Sequence, residues 1–175
     1  MINNIKINPV GLDKVIDTIQ GSIFSGLTTD WGLDLNGYPR CYVLFRESGK
    51  TIEHFVAGID YSGNLINAEE NKFFFINEAD YKKINLIQYE TEIKIFFILN
   101  LNKAKTNILH RADEEVKGFI LDRIERTGLV YNDKTIVTGF DRVFDGYNYK
   151  YTDDMQPYHY FRIDCTVKFE LDGKC

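Results

Sequence analysis

Three features of the sequence predict an α+β domain, a mostly antiparallel sheet packed by two main helices and closed by a long C-terminal β-hairpin. Residues 158–171, YHYFRIDCTVKFEL, alternate: His159, Phe161, Ile163, Cys165, Val167, Phe169 and Leu171 point one way and Tyr158, Tyr160, Arg162, Asp164, Thr166, Lys168 and Glu170 the other. That is the period of a strand with one buried face. Residues 91–101 set Ile93, Ile95, Phe97, Leu99 and Leu101 on one face but Phe96 and Ile98 on the other, so this strand is apolar on both sides and belongs in the middle of a covered sheet. Two stretches follow the helical period instead: Leu12, Val15, Ile16, Ile19 and Ile23, and then Ala112, Val116, Phe119, Ile120 and Ile124.

Taken in order, Asn8 followed by Pro9 marks a helix start, with Asn8 as N-cap and Pro9 at the first helical position, and the helix fades between Gly21 and Gly26. TTDWGLDLNGYP (28–39) reads as a turn-rich connection carrying the sole tryptophan, Trp31. RCYVLF (40–45) is a strand, ESGK (47–50) a tight turn and TIEHFVAGI (51–59) the returning strand, which makes a hairpin. DYSGN (60–64) is a second turn, KFFFI (72–76) a short buried strand, and NEADYKKINL (77–86) holds a brief helical turn. The second helix runs from Leu109 to Thr127: Asp113, Glu114 and Glu115 load its first half, Arg123 and Arg126 its last turns, and Gly128 closes it. NDK (132–134) is a turn, TIVTGFDRVF (135–144) a strand with Gly139 at a bulge, and DGYNYKYTDDMQP (145–157) a loop leading into the final strand.

The 175 residues suit one domain spanning 1–175, with no repeat or linker. Aromatics reach 14%, mostly 13 Phe and 11 Tyr, a composition that favours sheet. The balance of 21 basic and 26 acidic residues, net −5 without a basic stripe, disfavours specific nucleic-acid binding, which needs clustered Lys and Arg. Cys41, Cys165 and Cys175 are too few and too scattered for a disulfide framework or a metal knuckle. The N-terminus lacks the basic and apolar regions of a secretory signal, which leads us to expect a chain that meets a reducing cytoplasm first. The most apolar run, 93–101, is far shorter than the roughly 20 residues of a membrane helix.

Catalytic patterns do not emerge. SGK at 48–50 lacks the glycine spacing and following helix of a phosphate loop; His54, His110 and His159 lie on different elements; no nucleophile elbow is present. Cys41 and His54 could meet across the first hairpin, where cross-strand core packing is the stronger explanation, and the adjacent Asp153 and Asp154 read as solvated loop acids. No catalytic, cofactor-binding or metal residue is therefore assigned. The loop does gather Tyr147, Tyr149, Tyr151, Met155 and Tyr158 where exposure is expected; with Tyr160 and Arg162 they form a candidate subunit or partner interface, or else the tyrosines fold back on their own domain.

The length of the last strand bears on that choice. Fourteen residues extended span about 47 Å, whereas a domain of this size is only about 40 Å across. Either a bulge bends the strand, or its first part projects with the tyrosine loop as an arm that a neighbour must cover. On the second reading residues from Ile163 onward belong to the subunit's own core, Arg162, Asp164 and Lys168 become a contact face or channel lining, and replacing Tyr147, Tyr149 and Tyr151 together should weaken assembly and leave the fold intact.

The succession of an amphipathic N-terminal helix, the strand YETEIKIFFILNL, a helix opening HRADEEVKGFILDRIERTG and a closing hairpin ending YHYFRIDCTVKFEL resembles the tail terminator (tail completion) proteins of long-tailed bacteriophages, mainly over residues 85–171. Related head-to-tail neck proteins fit the same order. The resemblance implies a structural virion protein made in the host bacterial cytoplasm: a ring homo-oligomer, usually a hexamer, that caps the tail tube protein and meets the head-tail connector or neck proteins, with DNA passing through and no membrane partner. It implies no enzyme activity and no cofactor. The alternative is a small ligand-binding or enzymatic α+β domain with the Tyr-rich loop as a lid over a pocket near His159 and Asp153.

Overall fold

In the computed structural model, which describes residues 1–47, 49–56, 59–62, 70–103, 112–148 and 158–171, the element order is β1 (Ile2–Asn3), α1 (Leu12–Thr29), β2 (Leu35–Arg40), β3 (Tyr42–Arg46), β4 (Gly49–Val56), β5 (Ile59–Ser62), β6 (Asn71–Ile76), β7 (Lys82–Lys83), β8 (Gln88–Asn100), α2 (Asp113–Glu125), β9 (Val130–Thr138), α3 (Phe140–Val143) and β10 (Tyr158–Glu170). The main sheet runs β1-β2-β6-β8-β10-β9, with β7 added beside β8, and a second sheet runs β3-β4-β5. Among the described strands β1 with β2 and β2 with β6 pair in parallel and the other strand pairs are antiparallel, with an isolated parallel bridge between Lys50 and Tyr147. The domain is therefore α+β, a mostly antiparallel mixed sheet packed by two main helices and ending in the β9–β10 hairpin.

Both faces of the sheet are covered, as the two-sided apolarity of β8 requires. On one face α1 and α2 bury Leu12, Ile16, Ile19, Ile23, Leu27, Val116, Ile120 and Ile124 against Phe73, Phe75, Ile93, Ile95, Phe97, Phe161, Ile163, Cys165 and Val167. Phe73, Phe97 and Phe161 stand opposite one another in adjacent strands, and their rings stack at 5.8 Å and 4.6 Å between centroids. The second face buries Phe74, Ile76, Phe96 and Ile98 beneath the β3–β4 hairpin, α3 and the residues flanking them, which contribute Cys41, Ile52, Val143, Phe144 and Tyr147. Phe74 stacks on Phe96 at 5.1 Å, so each face carries its own aromatic ladder.

The helices cross closely at Gly26, where an added Cβ would lie 2.8 Å from Arg123 Nε and 2.9 Å from the Phe119 ring. Ser22 and Arg123 tie the same crossing, Ser22 Oγ donating to the Arg123 carbonyl and Arg123 Nε to the Ser22 carbonyl. Gly26→Ala is expected to force the helices apart and cost about 1–3 kcal/mol, read as a lower urea midpoint with an unchanged m-value.

Several expectations are corrected. The first helix starts at Leu12, not at Pro9, because Asn8 and Gly11 take positive φ (52° and 55°) and turn the chain immediately before it; it runs on through Gly21 and Gly26 to Thr29. The connection 28–39 contains β2, a parallel strand beside β6 that is buried at Leu35, Gly37, Tyr38 and Pro39. The following strand begins at Tyr42 because the Cys41 N–H donates to the Phe75 carbonyl and the chain changes sheet there. Residues 59–62 pair as β5, so the stretch read as a second turn begins as a strand, and 77–86 holds the short β7 and no helix.

Near the C-terminus, β9 runs straight through the expected turn at 132–134, the mismatch absorbed by a register shift against β10 between Asp164 and Thr166. It stops at Gly139, whose φ of 88° reverses the chain into α3 where a continuing strand was expected. The second helix is described from Asp113 to Glu125, residues 109–111 of the expected span lying outside the described residues, and Gly128 closes it at φ 66°.

The length of the last strand has an internal explanation. Thirteen-residue β10 is matched residue for residue by thirteen-residue β8, from Tyr158 opposite Asn100 to Glu170 opposite Gln88. Its first residues therefore belong to the sheet of their own chain and do not project as an arm.

Candidate functional site

The candidate interface residues part company. Tyr149, Tyr151 and Met155, with Asp153 and Asp154, lie outside the described residues. Tyr147, expected on an exposed loop, is instead 6% exposed. Gly139 and Gly146, both at positive φ, turn 139–147 back onto the sheet's second face, where the Tyr147 ring meets Phe96 edge-on at 5.7 Å. Tyr160 is half-buried against Phe140, edge-to-face at 4.9 Å. Tyr158, also half-buried, borders a polar cleft of about 350 Å³ with Met1, Asp34, Asn36, Glu70 and Asn71.

Arg162 is held within its own chain. Its guanidinium donates twice to Asp164, at 2.7 and 2.9 Å, and once to the Val143 carbonyl at 3.0 Å, while lying 5.5 Å over the Phe96 ring. Lys168 sits 4.4 Å over the Tyr131 ring. The polar face of β10 thus divides into a half under α3 and an open half.

A feature that pattern reading missed is a charged tie centred on Glu78. Its carboxylate accepts hydrogen bonds from Lys50 (2.7 Å), Lys94 (3.3 Å) and the Tyr147 hydroxyl (3.0 Å), joining β4, β8 and the turn after α3. Beside it the Lys50 N–H donates to the Gly146 carbonyl and the Asn148 N–H to the Lys50 carbonyl. Burial alone would raise the Glu78 carboxyl; the hydrogen bonds from Lys50 and Tyr147 and the two lysine charges outweigh it and leave the pKa lowered. Burial, then the Glu78 charge, pushes the Tyr147 hydroxyl far up, so it stays a donor. This cluster fastens the second sheet to the first.

Cys41 and His54 both lie on the second face. The buried Cys41 thiol donates to the Pro39 carbonyl at 3.4 Å, and burial raises its pKa strongly. His54 sits edge-on to Tyr38 at 5.0 Å, its pKa lowered by burial and then by Lys72. Cys165 is likewise pushed up to about 12 by burial, among the core residues under the helices. These thiols are neutral at physiological pH and act as small apolar groups. His159 stands on β10 opposite Leu99, and His110 is outside the described residues. Among the described residues no group of three or more His, Cys, Asp and Glu could hold a metal ion, and no helix is long and apolar enough to cross a membrane.

Two surfaces among the described residues are open to contacts. One is the outer edge of nine-residue β9, which pairs only with β10 among the described residues. The other is an apolar end of the domain around Val10, Tyr81, Ile84, Leu86, Ile87 and Leu171, all exposed. The sequence signal for it was Ile84, Leu86 and Ile87 standing together in a stretch otherwise rich in Lys, Asn and Gln, which fits neither period. Compared with known proteins, the chain matches no family model and no curated protein.

Proposed function

We propose that the chain is a structural ring subunit of the tail-terminator class of long-tailed bacteriophages, or a closely related head-to-tail neck protein. In that role copies of it, six in the usual arrangement of the class, cap the tail tube at its capsid-proximal end and offer the surface that meets the head connector. The observation that carries this reading is the order of elements: an N-terminal helix, the long sheet strand β8, a second helix on the same face as the first and a closing β9–β10 hairpin. The outer β9 edge supports it, since nine residues of edge left unpaired among the described residues offer backbone groups to a neighbouring subunit. A net charge of −5 per chain suits a ring through which DNA slides without adhering.

The test is mass and location. Sedimentation of the purified chain, and labelling of particles from the source phage, should give a closed ring of about six 20.4 kDa chains at the capsid-proximal end of the tail. A protein monomeric in solution and absent from virions ends the reading.

A further inference from the structure

We infer that Asp145 is a modification site: its backbone isomerises spontaneously to isoaspartate in the folded protein and loosens the turn that ties α3 to β4. Among the described residues two pairs join an Asn or Asp to a following Gly, Asn36–Gly37 and Asp145–Gly146. Glycine leaves the nitrogen after the acid or amide without a Cβ to shield it, so such pairs cyclise most readily. In an unstructured chain the Asn pair reacts faster, because an amide is a better electrophile than a carboxylate. The fold reverses that order.

Asn36 lies in β2 with a strand on either side, β1 and β6. Its amide is held at both ends, Nδ2 donating to Glu70 at 2.6 Å and Oδ1 accepting from the Ile2 N–H at 2.9 Å. Gly37 is buried, and a Cβ there would lie 2.8 Å from Asn3 Oδ1 and 2.9 Å from the Phe73 ring, so the backbone has no room to swing. Asp145 and Gly146 are instead the central residues of a turn that the Tyr147 N–H closes on the Phe144 carbonyl at 2.9 Å. Both are exposed, Gly146 is at φ 77°, and among the described residues neither the Asp145 carboxylate nor the Gly146 N–H has a hydrogen-bond partner.

The Gly146 nitrogen attacks Asp145 Cγ; a new C–N bond forms, and the carboxyl hydroxyl leaves as water with the amide proton. Water then opens the five-membered imide. Cleavage of the new bond restores aspartate, whereas cleavage at the original main-chain carbonyl leaves Gly146 bonded to Cγ, which is isoaspartate. The product routes the main chain through Cβ and lengthens it by one methylene between Phe144 and Tyr147, both of them buried. The contact it displaces is the bond from the Lys50 N–H to the Gly146 carbonyl at 2.9 Å, beside that from the Asn148 N–H to the Lys50 carbonyl at 2.6 Å. These bonds fasten the β3–β4 hairpin to the turn. The inference concerns a single chain and is independent of the ring reading.

Peptide mapping of aged protein tests it. Native protein, protein unfolded in guanidinium, and Asp145→Glu, which keeps the charge but closes an imide far more slowly, are held for several weeks in warm neutral buffer. Each is then digested with trypsin and labelled with isoaspartyl methyltransferase. In the native sample the peptide 143–150, which contains a single Asp, should carry at least ten times the isoaspartate of any other peptide drawn wholly from described residues, while Asn36 stays an amide. In the unfolded sample Asn36 should deamidate first. The pair Asp172–Gly173, outside the described residues, is read separately in the peptide 169–174. Aged native protein should unfold at lower urea than fresh protein, and aged Asp145→Glu should not. Isoaspartate no more abundant at 145 than at other described Asp residues, or Asn36 deamidating as fast folded as unfolded, overturns the inference. Isoaspartate at 145 that leaves the urea midpoint in place overturns its coupling to the turn.

Discussion

Phe97→Ala is expected to destabilise the domain by about 3–5 kcal/mol, the largest effect of any single substitution considered for this chain. Phe97 lies at the centre of the helix-side core, fully buried, between Phe73 of β6 and Phe161 of β10. Truncation removes the ring from two stacked contacts, at 5.8 and 4.6 Å, and leaves a cavity in the middle strand, where the sheet is held on both sides and cannot collapse. A domain of this size holds on the order of 5–15 kcal/mol in total, and each kcal/mol moves the thermal midpoint by about 2–4 °C. The melt should therefore fall by roughly 6–20 °C. Phe45→Ala, at a side chain 73% exposed on the β3–β4 hairpin, is the control and should change stability by less than about 0.5 kcal/mol. Similar midpoints for the two variants would show that the phenylalanine ladder is not the centre of the core.

What the sequence revealed and what it concealed follow from the range of the interactions. β8, β10 and the buried stripe of α2 are written in local periodicity, because each buries a face that repeats every two or 3.6 residues. β2 repeats nothing: LNGYPR is a strand because β6 lies parallel to it on one side and β1 on the other, and such pairing cannot be seen in six residues holding Gly and Pro. Both ends of β9 are hidden in the sequence for related reasons. Its NDK segment looks like a turn and is drawn into the sheet by β10, whereas Phe140–Val143 looks like more strand and is turned away by Gly139.

The candidate site shows the same division. Leu86 and Ile87 are visible as misplaced apolar residues, but that Val10 and Leu171 join them depends on chain ends meeting across the fold. Glu78 was invisible as a site because its partners Lys94, Lys50 and Tyr147 lie 16, 28 and 69 residues away.

Tyr147→Ala is expected to cost about 3 kcal/mol of monomer stability, and for Tyr147 alone this replaces the expectation that Tyr147, Tyr149 and Tyr151 can be replaced with the fold intact. The substitution deletes a buried ring from contact with Phe96 and removes one of three donors to Glu78. Tyr147→Phe keeps the ring and loses only the hydroxyl, so it should cost nearer 1 kcal/mol. Glu78→Gln leaves Lys50 and Lys94 without their shared anion and should cost about 1–3 kcal/mol at pH 7. Its effect must also depend on pH. The folded state lowers the Glu78 pKa, so the stabilisation is complete above the unfolded carboxyl value of about 4.3 and is lost as pH falls through the lower folded value. Urea midpoints of wild type and Glu78→Gln should accordingly stand apart at pH 7 and 5 and draw together toward pH 3. A gap that stays constant over that range would mean that the charge on Glu78 is not what joins the two sheets, and an unchanged midpoint for Tyr147→Ala would return that side chain to the list of surface residues available to a neighbour.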